Sequence, residues 1–589
     1  MGYADDLATF PRTTEEWGHL KATMEKYGQA SNARLNLKKT VAFPLSNTCR
    51  PMMQALQQDQ VQIHTTLQEN ALVYLGYPVA LNTRQRDLFL DNILSKIKIQ
   101  IGLHSGRQVS VLGRDLIANS FILSRLWHIV SVVQPPRTWI RKVQSVVRKF
   151  VCPFFPAPSW EFITQRRKTG GLGLVDIATQ AKAFQLRAVQ RLCSNVKSFA
   201  TPILKGLLKE HTQSEYPLAP FLAPNHYLEA RRGYFTGAPT IRGLVSTFRL
   251  LPPVIWSKGS VDHPPALSTL LSSMVPDWME STRPPHPPNW RMDQTFRVKW
   301  TDEGQRTGQL EFVPHKERPR GMRNNIALQN NATLGIFRMH EALQLILNTP
   351  RMIRNKDKTH KPINSMVLDD ASNIKFDEAS TSSFRHTLTK QRANPEQAQA
   401  TAPRHPLPNI FWIRFWKAPI PHFARNVWWR LLINKIPSKS WLHLIMPTEF
   451  EAQCTICGAD SETAQHMLIN CPSKLRIWQE ALNKYSFGDP TWTWEAIEAL
   501  LYSSAPTITT REDIPATALL AVILFNIWKY HFNFIRDEEP FEVARVLAAI
   551  DIAIGRVLAQ LAHKKEQERL WALLTHPPPV PNPDDNFPT

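Results

Sequence analysis

The chain has 589 residues, 43% of them apolar, which is enough for several buried cores and excludes a chain disordered throughout. Lysine and arginine number 70 against 49 for aspartate and glutamate, a formal charge of +21 that favours polyanionic partners, nucleic acid before anionic membrane. Six cysteines are few for this length and three of them crowd between Cys454 and Cys471, a usage that suits a reducing compartment and one metal site better than a disulfide framework.

From the N-terminus, Met1 to Phe10 holds two acids and no apolar run, so no signal peptide is expected. Gly2 to Phe10 reads as a hairpin. Thr13 to Gly28 reads as an amphipathic helix capped by Thr13 or Thr14, with Glu15 and Glu16 in its first turn and Gly28 as its stop. Ala71 to Val79 reads as strand with a turn at Gly76. Helical periodicity then covers Asp87–Gly102 and Gly113–Val133, the latter with Leu116, Ile117, Phe121, Leu123 and Leu126 on one apolar face. Trp139–Val151 is a further helix carrying Arg141, Lys142, Arg148 and Lys149. Gly170, Gly171 and Gly173 mark a tight turn before a helix from Asp176 to Cys193.

Residues 196–353 carry no clear pattern and are read as a helical connection. Residues 354–408 are rich in Ser, Thr, Gln, Asn and Pro and are read as a flexible linker. Aromatic residues return from Phe411. Ala516 to Ile527 is apolar but reads as too short to span a bilayer, with Lys529 and His531 closing it off, so a buried helix, a soluble intracellular chain and no membrane partner are expected. Two or three helices are expected from Ala516 to Leu574, and a proline-rich tail over 576–589.

Two constellations carry chemistry. Cys454-x2-Cys457-x8-His466-x4-Cys471 offers three thiolates and one imidazole, the four ligands of a closed, structural zinc tetrahedron with no position left for a reacting water. At the other end, Tyr3-Ala4-Asp5-Asp6 places adjacent carboxylates in a tight turn, a pairing that can hold divalent metal beside a nucleic-acid 3′ end. For phosphate contact the candidates are Arg425, Arg430 and Lys435 among the tryptophans before the cysteines, then Arg166, Arg167 and Lys168 before the glycine turn. Arg141, Lys142, Arg148 and Lys149 are a third set.

The acidic pair, the following helix, Leu35-Asn36-Leu37-Lys38-Lys39-Thr40 and Tyr74-Leu75-Gly76 resemble, in order and spacing, a reverse transcriptase palm from its third motif onward. Asn119 to Trp127 and Gly170 to Asp176 are similar to segments after the palm in LINE-type (non-LTR) retrotransposon enzymes. Trp428-Trp429-Arg430-Leu431-Leu432 and Asn434-Lys435-Ile436-Pro437, with the cysteines after them, resemble the zinc-binding domain downstream of such polymerases.

The resemblance implies metal-binding roles for Asp5 and Asp6, a place near the incoming nucleotide for Lys39, and a primer grip at Tyr74, Leu75 and Gly76. It implies template RNA and target DNA as partners in target-primed reverse transcription, and a nuclear location. The family also needs fingers and an aspartate on an earlier palm strand, and only Met1 and Gly2 precede the Tyr3-Ala4-Asp5-Asp6 motif here. The chain is therefore expected not to polymerise or cleave DNA alone, and to use Mg2+ only if an upstream polymerase region or an oligomeric partner supplies the rest.

The expected fold is α+β and mostly α. It comprises a truncated palm (1–80), thumb-like helices (81–195), the connection (196–353), the linker (354–408), a small CCHC zinc module (409–485) and C-terminal helices (486–575). The alternatives are a non-catalytic, zinc-stabilised RNA- or DNA-binding protein and a protein-interaction scaffold.

Overall fold

A computed structural model describes residues 2–3, 6–33, 36, 39–45, 50–193, 200–212, 218–222, 228, 233–251, 296–302, 307–312, 314–317, 368, 374–392, 407–487, 491–503, 505–511 and 514–575. The described residues are mostly helical, and their strands pair only in twos. The chain divides into two compact units, Met1–Gly106 with His128–Val143, and Arg107–Trp127 with Gln144–Thr589. The expected thumb-like block 81–195 is thus shared between them. Helical periodicity reports that a face is buried, not what buries it.

In the first unit, β1 (Gly2–Tyr3) and β2 (Asp6–Leu7) form the expected hairpin, with Tyr3 opposite Asp6. Helix α1 (Thr14–Ser31) is capped by Thr13, whose hydroxyl accepts the Glu16 N–H, while the Glu16 carboxylate accepts from the Arg12 N–H. The helix does not stop at Gly28. It runs on to Asn32 in the left-handed region, and Gly28 serves close approach, since a Cβ there would lie 2.6 Å from the Ala33 carbonyl oxygen. Its Trp17 packs on Met52 and Leu56 of α2 (Arg50–Gln58) and on Val61. The Trp17 indole N–H and the Lys21 ammonium both donate to Asp59. Short strands β3 (Val41–Ala42) and β4 (Gln62–Ile63) pair in parallel.

A second hairpin joins β5 (Leu72–Tyr74) to β6 (Tyr77–Val79). Leu75 and Gly76 between them both have positive φ, 50° and 81°, the pattern of a two-residue type I′ turn. His128 stacks on Tyr77 and its Nε2 lies 3.2 Å from the Leu75 carbonyl oxygen, which helps hold a leucine where glycine is preferred. Helix α3 (Thr83–Ser105) follows, capped by Asn82.

Further along, α4 (Val111–Ile117) passes into a π-helical segment, Ala118–Leu123, and then into α5 (Ser124–Val130). The wider turn shifts the helical phase. Leu116 and Phe121 are therefore exposed, whereas Ala118, Ile122, Leu123 and Leu126 are buried, which corrects the apolar face expected from a uniform 3.6 period. Helices α6 (Arg137–Val151), α7 (Trp160–Ile163), α8 (Ile177–Cys193), α9 (Ala200–Thr212) and α10 (Pro239–Phe248) follow. A hairpin of β7 (Phe296–Asp302) and β8 (Thr307–Phe312) lies in the expected helical connection.

Part of the expected linker is core. Leu368, Phe376, Ala379, Phe384 and Leu388 are buried with α8 and α10, the last two on α11 (Thr381–Arg392). Phe376 meets Phe248 edge to face and Phe384 at a tilt, and the Gln190 amide donates to the carbonyls of Phe376, Asp377 and Ala379. Polar composition disguised a few apolar residues at the spacing one buried face needs.

The second unit continues with α12 (Asn409–Lys417), α13 (His422–Leu432), α14 (Lys439–Ile445) and α15 (Pro472–Tyr485). Next come β9 (Ser486–Phe487), α16 (Trp494–Leu501), and β10 (Thr509–Thr510), which pairs with β9. Two long helices, α17 (Ala516–Asp537) and α18 (Val543–Thr575), close the chain. Helix α17 runs through Lys529 and His531, so by length and composition it is long enough to cross a membrane, as is Val543–Glu568. Leu519 to Leu524 of α17 are nonetheless all fully buried within the protein, as the sequence suggested. Trp428 of α13 donates its indole N–H to the Leu501 carbonyl, which joins the cysteine-bearing region to the helices after it.

Candidate metal centre and nucleic-acid interface

The four expected ligands converge. The Sγ atoms of Cys454, Cys457 and Cys471 and one imidazole nitrogen of His466 all lie within 4.8 Å of one another, and the Cys457 Sγ is 3.2 Å from the His466 Nε2. Donor separations of about 4 Å are those of a tetrahedron of zinc–sulfur and zinc–nitrogen bonds, so the quartet fits zinc. Local structure explains the convergence. The Cys454 carbonyl accepts from the Gly458 N–H and its own N–H donates to the Ala459 carbonyl, a turn that puts both sulfurs on one side. Gly458 supplies the positive φ, 77°, that this turn requires. His466 opens a π-helical segment, His466–Asn470, and Cys471 sits directly before α15 with Pro472 at its first turn. Cys454 and Cys471 are buried and Cys457 is exposed. A hydrogen bond from Cys471 lowers the pKa of the Cys454 thiol while that of Cys471 itself is pushed up, so these two sulfurs share a proton that a bound metal would displace.

Behind the ligands lie charged side chains that the sequence did not mark. Lys474 is fully buried on α15, with its Nζ 3.1 Å from the Nδ1 of His531, which is also buried and does not close α17 off at the surface. The His531 Nε2 lies 3.8 Å from the Glu462 carboxylate. Burial pushes Glu462 up to about 7 and His531 down to about 2, while it lowers Lys474 against the opposing pull of Cys471 and Glu462. Three thiolates around a divalent zinc would leave one negative charge, which a Lys474 ammonium beside them would offset. Only the i, i+3 step from Cys471 to Lys474 hinted at this in the sequence.

The basic candidates separate into two kinds. Arg425 is buried, and its guanidinium donates to the carbonyls of Phe415, Trp416, Ala418 and Ile420. Arg430 is buried too; it donates to the carbonyls of Lys435 and Phe155 and lies over the rings of Phe154 and Trp528. Burial draws the Arg430 pKa down to about 10. Both guanidinium groups tie segments together, so the expectation that they contact phosphate is corrected. Arg167 is divided: it bonds the Leu172 carbonyl and pairs with the buried Asp115 at 3.2 Å, yet about half of its side chain is exposed. Arg166 and Lys168 are exposed, and Lys435 is partly exposed. Lys142 lies 4.0 Å from Asp91. The glycine turn between these groups is tight: a Cβ on Gly170 would lie 2.8 Å from the Trp412 ring, and one on Gly171 would lie 2.3 Å from the Gln165 carbonyl oxygen.

The polymerase-like candidates are less defined. Asp5 lies outside the described residues; Asp6 occupies β2. Lys39 is exposed in a turn whose N–H groups, at Lys39 and Thr40, both donate to Asn36. Tyr74, Leu75 and Gly76 form the tip of the β5–β6 hairpin.

A closed Cys-Cys-His-Cys centre within a helical, tryptophan-rich fold defines a structural zinc-binding module. Residues 397–478 match the family described as zinc-binding in reverse transcriptase. The chain is also similar to the "Transposon TX1 uncharacterized 149 kDa protein" of Xenopus laevis, 24% identical over 192 residues, covering 32% of this chain and 14% of that relative. One likeness is to a zinc-binding segment of reverse transcriptases and the other to a transposon protein, and the first falls on the residues that hold the four ligands.

Proposed function

We infer that this chain holds nucleic acid for target-primed reverse transcription, with zinc as the structural staple of the part that grips. The observation that carries this reading is the four-ligand cluster inside the reverse transcriptase zinc-binding match. Such a site is coordinatively closed, so its metal shapes a surface and does no chemistry. The surplus charge of +21, with Arg166, Lys168 and Lys435 at the surface, supplies cations for phosphates of template RNA or target DNA. Asp5 and Asp6, by their resemblance to a polymerase pair, would hold Mg2+ only alongside further carboxylates.

The test is a salt titration of binding to RNA and to DNA. Log affinity should fall linearly with log salt, and Arg166→Ala, Lys168→Ala and Lys435→Ala should each lower the slope by about one. A chain that binds neither polymer at low salt sinks the reading and leaves the scaffold alternative.

A further inference from the structure

The end of α6 leads into a cleft that no role yet uses. Its cavity, about 300 Å³, is lined by Arg148, Lys149, Cys152, Phe154, Phe155 and neighbouring small residues. Phe155 is 58% exposed although it sits in a well-packed segment. Its ring lies 5.1 Å, edge to face, from that of Trp441 on α14, beside the zinc module. Arg430 fixes this wall from within, 4.3 Å from the Phe154 ring centroid and donating to the Phe155 carbonyl. Lys149 is exposed and makes no ion pair among the described residues, and Arg148 donates to the Pro158 carbonyl at 3.4 Å. A single exposed aromatic is unremarkable in a folded protein. An exposed ring whose backbone carbonyl a buried arginine anchors, edged by a second ring and flanked by two cations that make no ion pair among the described residues, is the combination that takes a base on a π-face and a phosphate on its charges.

We propose that this cleft is a subsite for one unpaired nucleotide of a single strand, its base stacked on Phe155 against the edge of Trp441 and its phosphate at Lys149 and Arg148. The proposal rests on the nucleic-acid-holding function above and adds where an unpaired base goes. It also gives Arg430 a positioning role: it holds the wall and leaves the phosphate to Lys149.

The experiment uses the full chain and short labelled oligonucleotides: oligouridylate, oligothymidylate, and a duplex of the same length. Binding is read by fluorescence anisotropy over a range of salt. Phe155→Ala should weaken single-strand binding about tenfold without changing the salt slope, Phe155→Tyr should restore it, and Lys149→Met should lower the slope by about one. Ultraviolet crosslinking of an iodouracil-substituted oligonucleotide should mark Phe155 or Trp441. Preference between the RNA and DNA strands then assigns the sugar. Phe155 is exposed, so its variants should fold, and unchanged zinc content confirms that they do. If wild type binds with a steep salt slope but Phe155→Ala binds equally well, or the duplex competes equally, the subsite is wrong and the broader function stands. If wild type binds no strand, both fall.

Discussion

Around Trp17, a few buried side chains hold two helices and a pair of two-residue strands together. Around Trp428, Trp429 and Trp478, whole helices bury against one another and fully buried indoles each spend their N–H on a backbone carbonyl. The first arrangement depends on backbone devices: the Thr13 cap, the left-handed Asn32 and the paired positive φ at Leu75 and Gly76. The second depends on side chains that cross long stretches of sequence, from Gly170 to Trp429 and from Glu462 to His531, with a metal quartet at its edge. A small apolar core leaves stability to turns and caps; a large one lets polar and charged groups become buried fasteners.

The widest gap between these regions should open on loss of metal. Structural zinc supplies on the order of 10 kcal/mol in isolated modules, so Cys454→Ser or a strong chelator should abolish zinc content and hydrogen-exchange protection over 438–487 while α1 to α3 keep theirs. Equal loss in both would mean that the regions fold as one. Next in size is Arg425→Met, which strips donors from four carbonyls. It should cost about 3 kcal/mol in denaturant unfolding yet leave the nucleic-acid affinity of the folded protein unchanged. A selective loss of affinity at full stability would return Arg425 to the phosphate-contacting set. The smallest effect is Gly76→Ala, which places a Cβ at φ 81°. It should cost about 1 kcal/mol, with faster hydrogen exchange confined to the β5–β6 hairpin.

Much of the local structure was legible because short-range chemistry writes it. Thr13 with Glu16 marked the start of α1, and Gly76 marked a turn. The zinc ligands were legible for the same reason, since a tetrahedron demands particular residue types at short spacing. Misreadings came where a residue type has two uses. Gly28 is a helix stop in most sequences, but here the chain returns too close for any side chain. Arg425 and Arg430, set among tryptophans, present the same letters whether they face phosphate or carbonyl oxygens. Phe376 and Phe384 were hidden by the polar residues around them.

The sequence alone thus determined the helical character of the chain, the closed Cys454–Cys457–His466–Cys471 ligand set and the positive balance of charge, each a property of composition or of neighbours within a few turns. Tertiary structure alone decided which cations are buried, that Lys474 and His531 stand behind the ligands, and that Phe155 meets Trp441. Burial and charge compensation arise between residues tens to hundreds of positions apart, and no local pattern encodes which distant side chain will arrive.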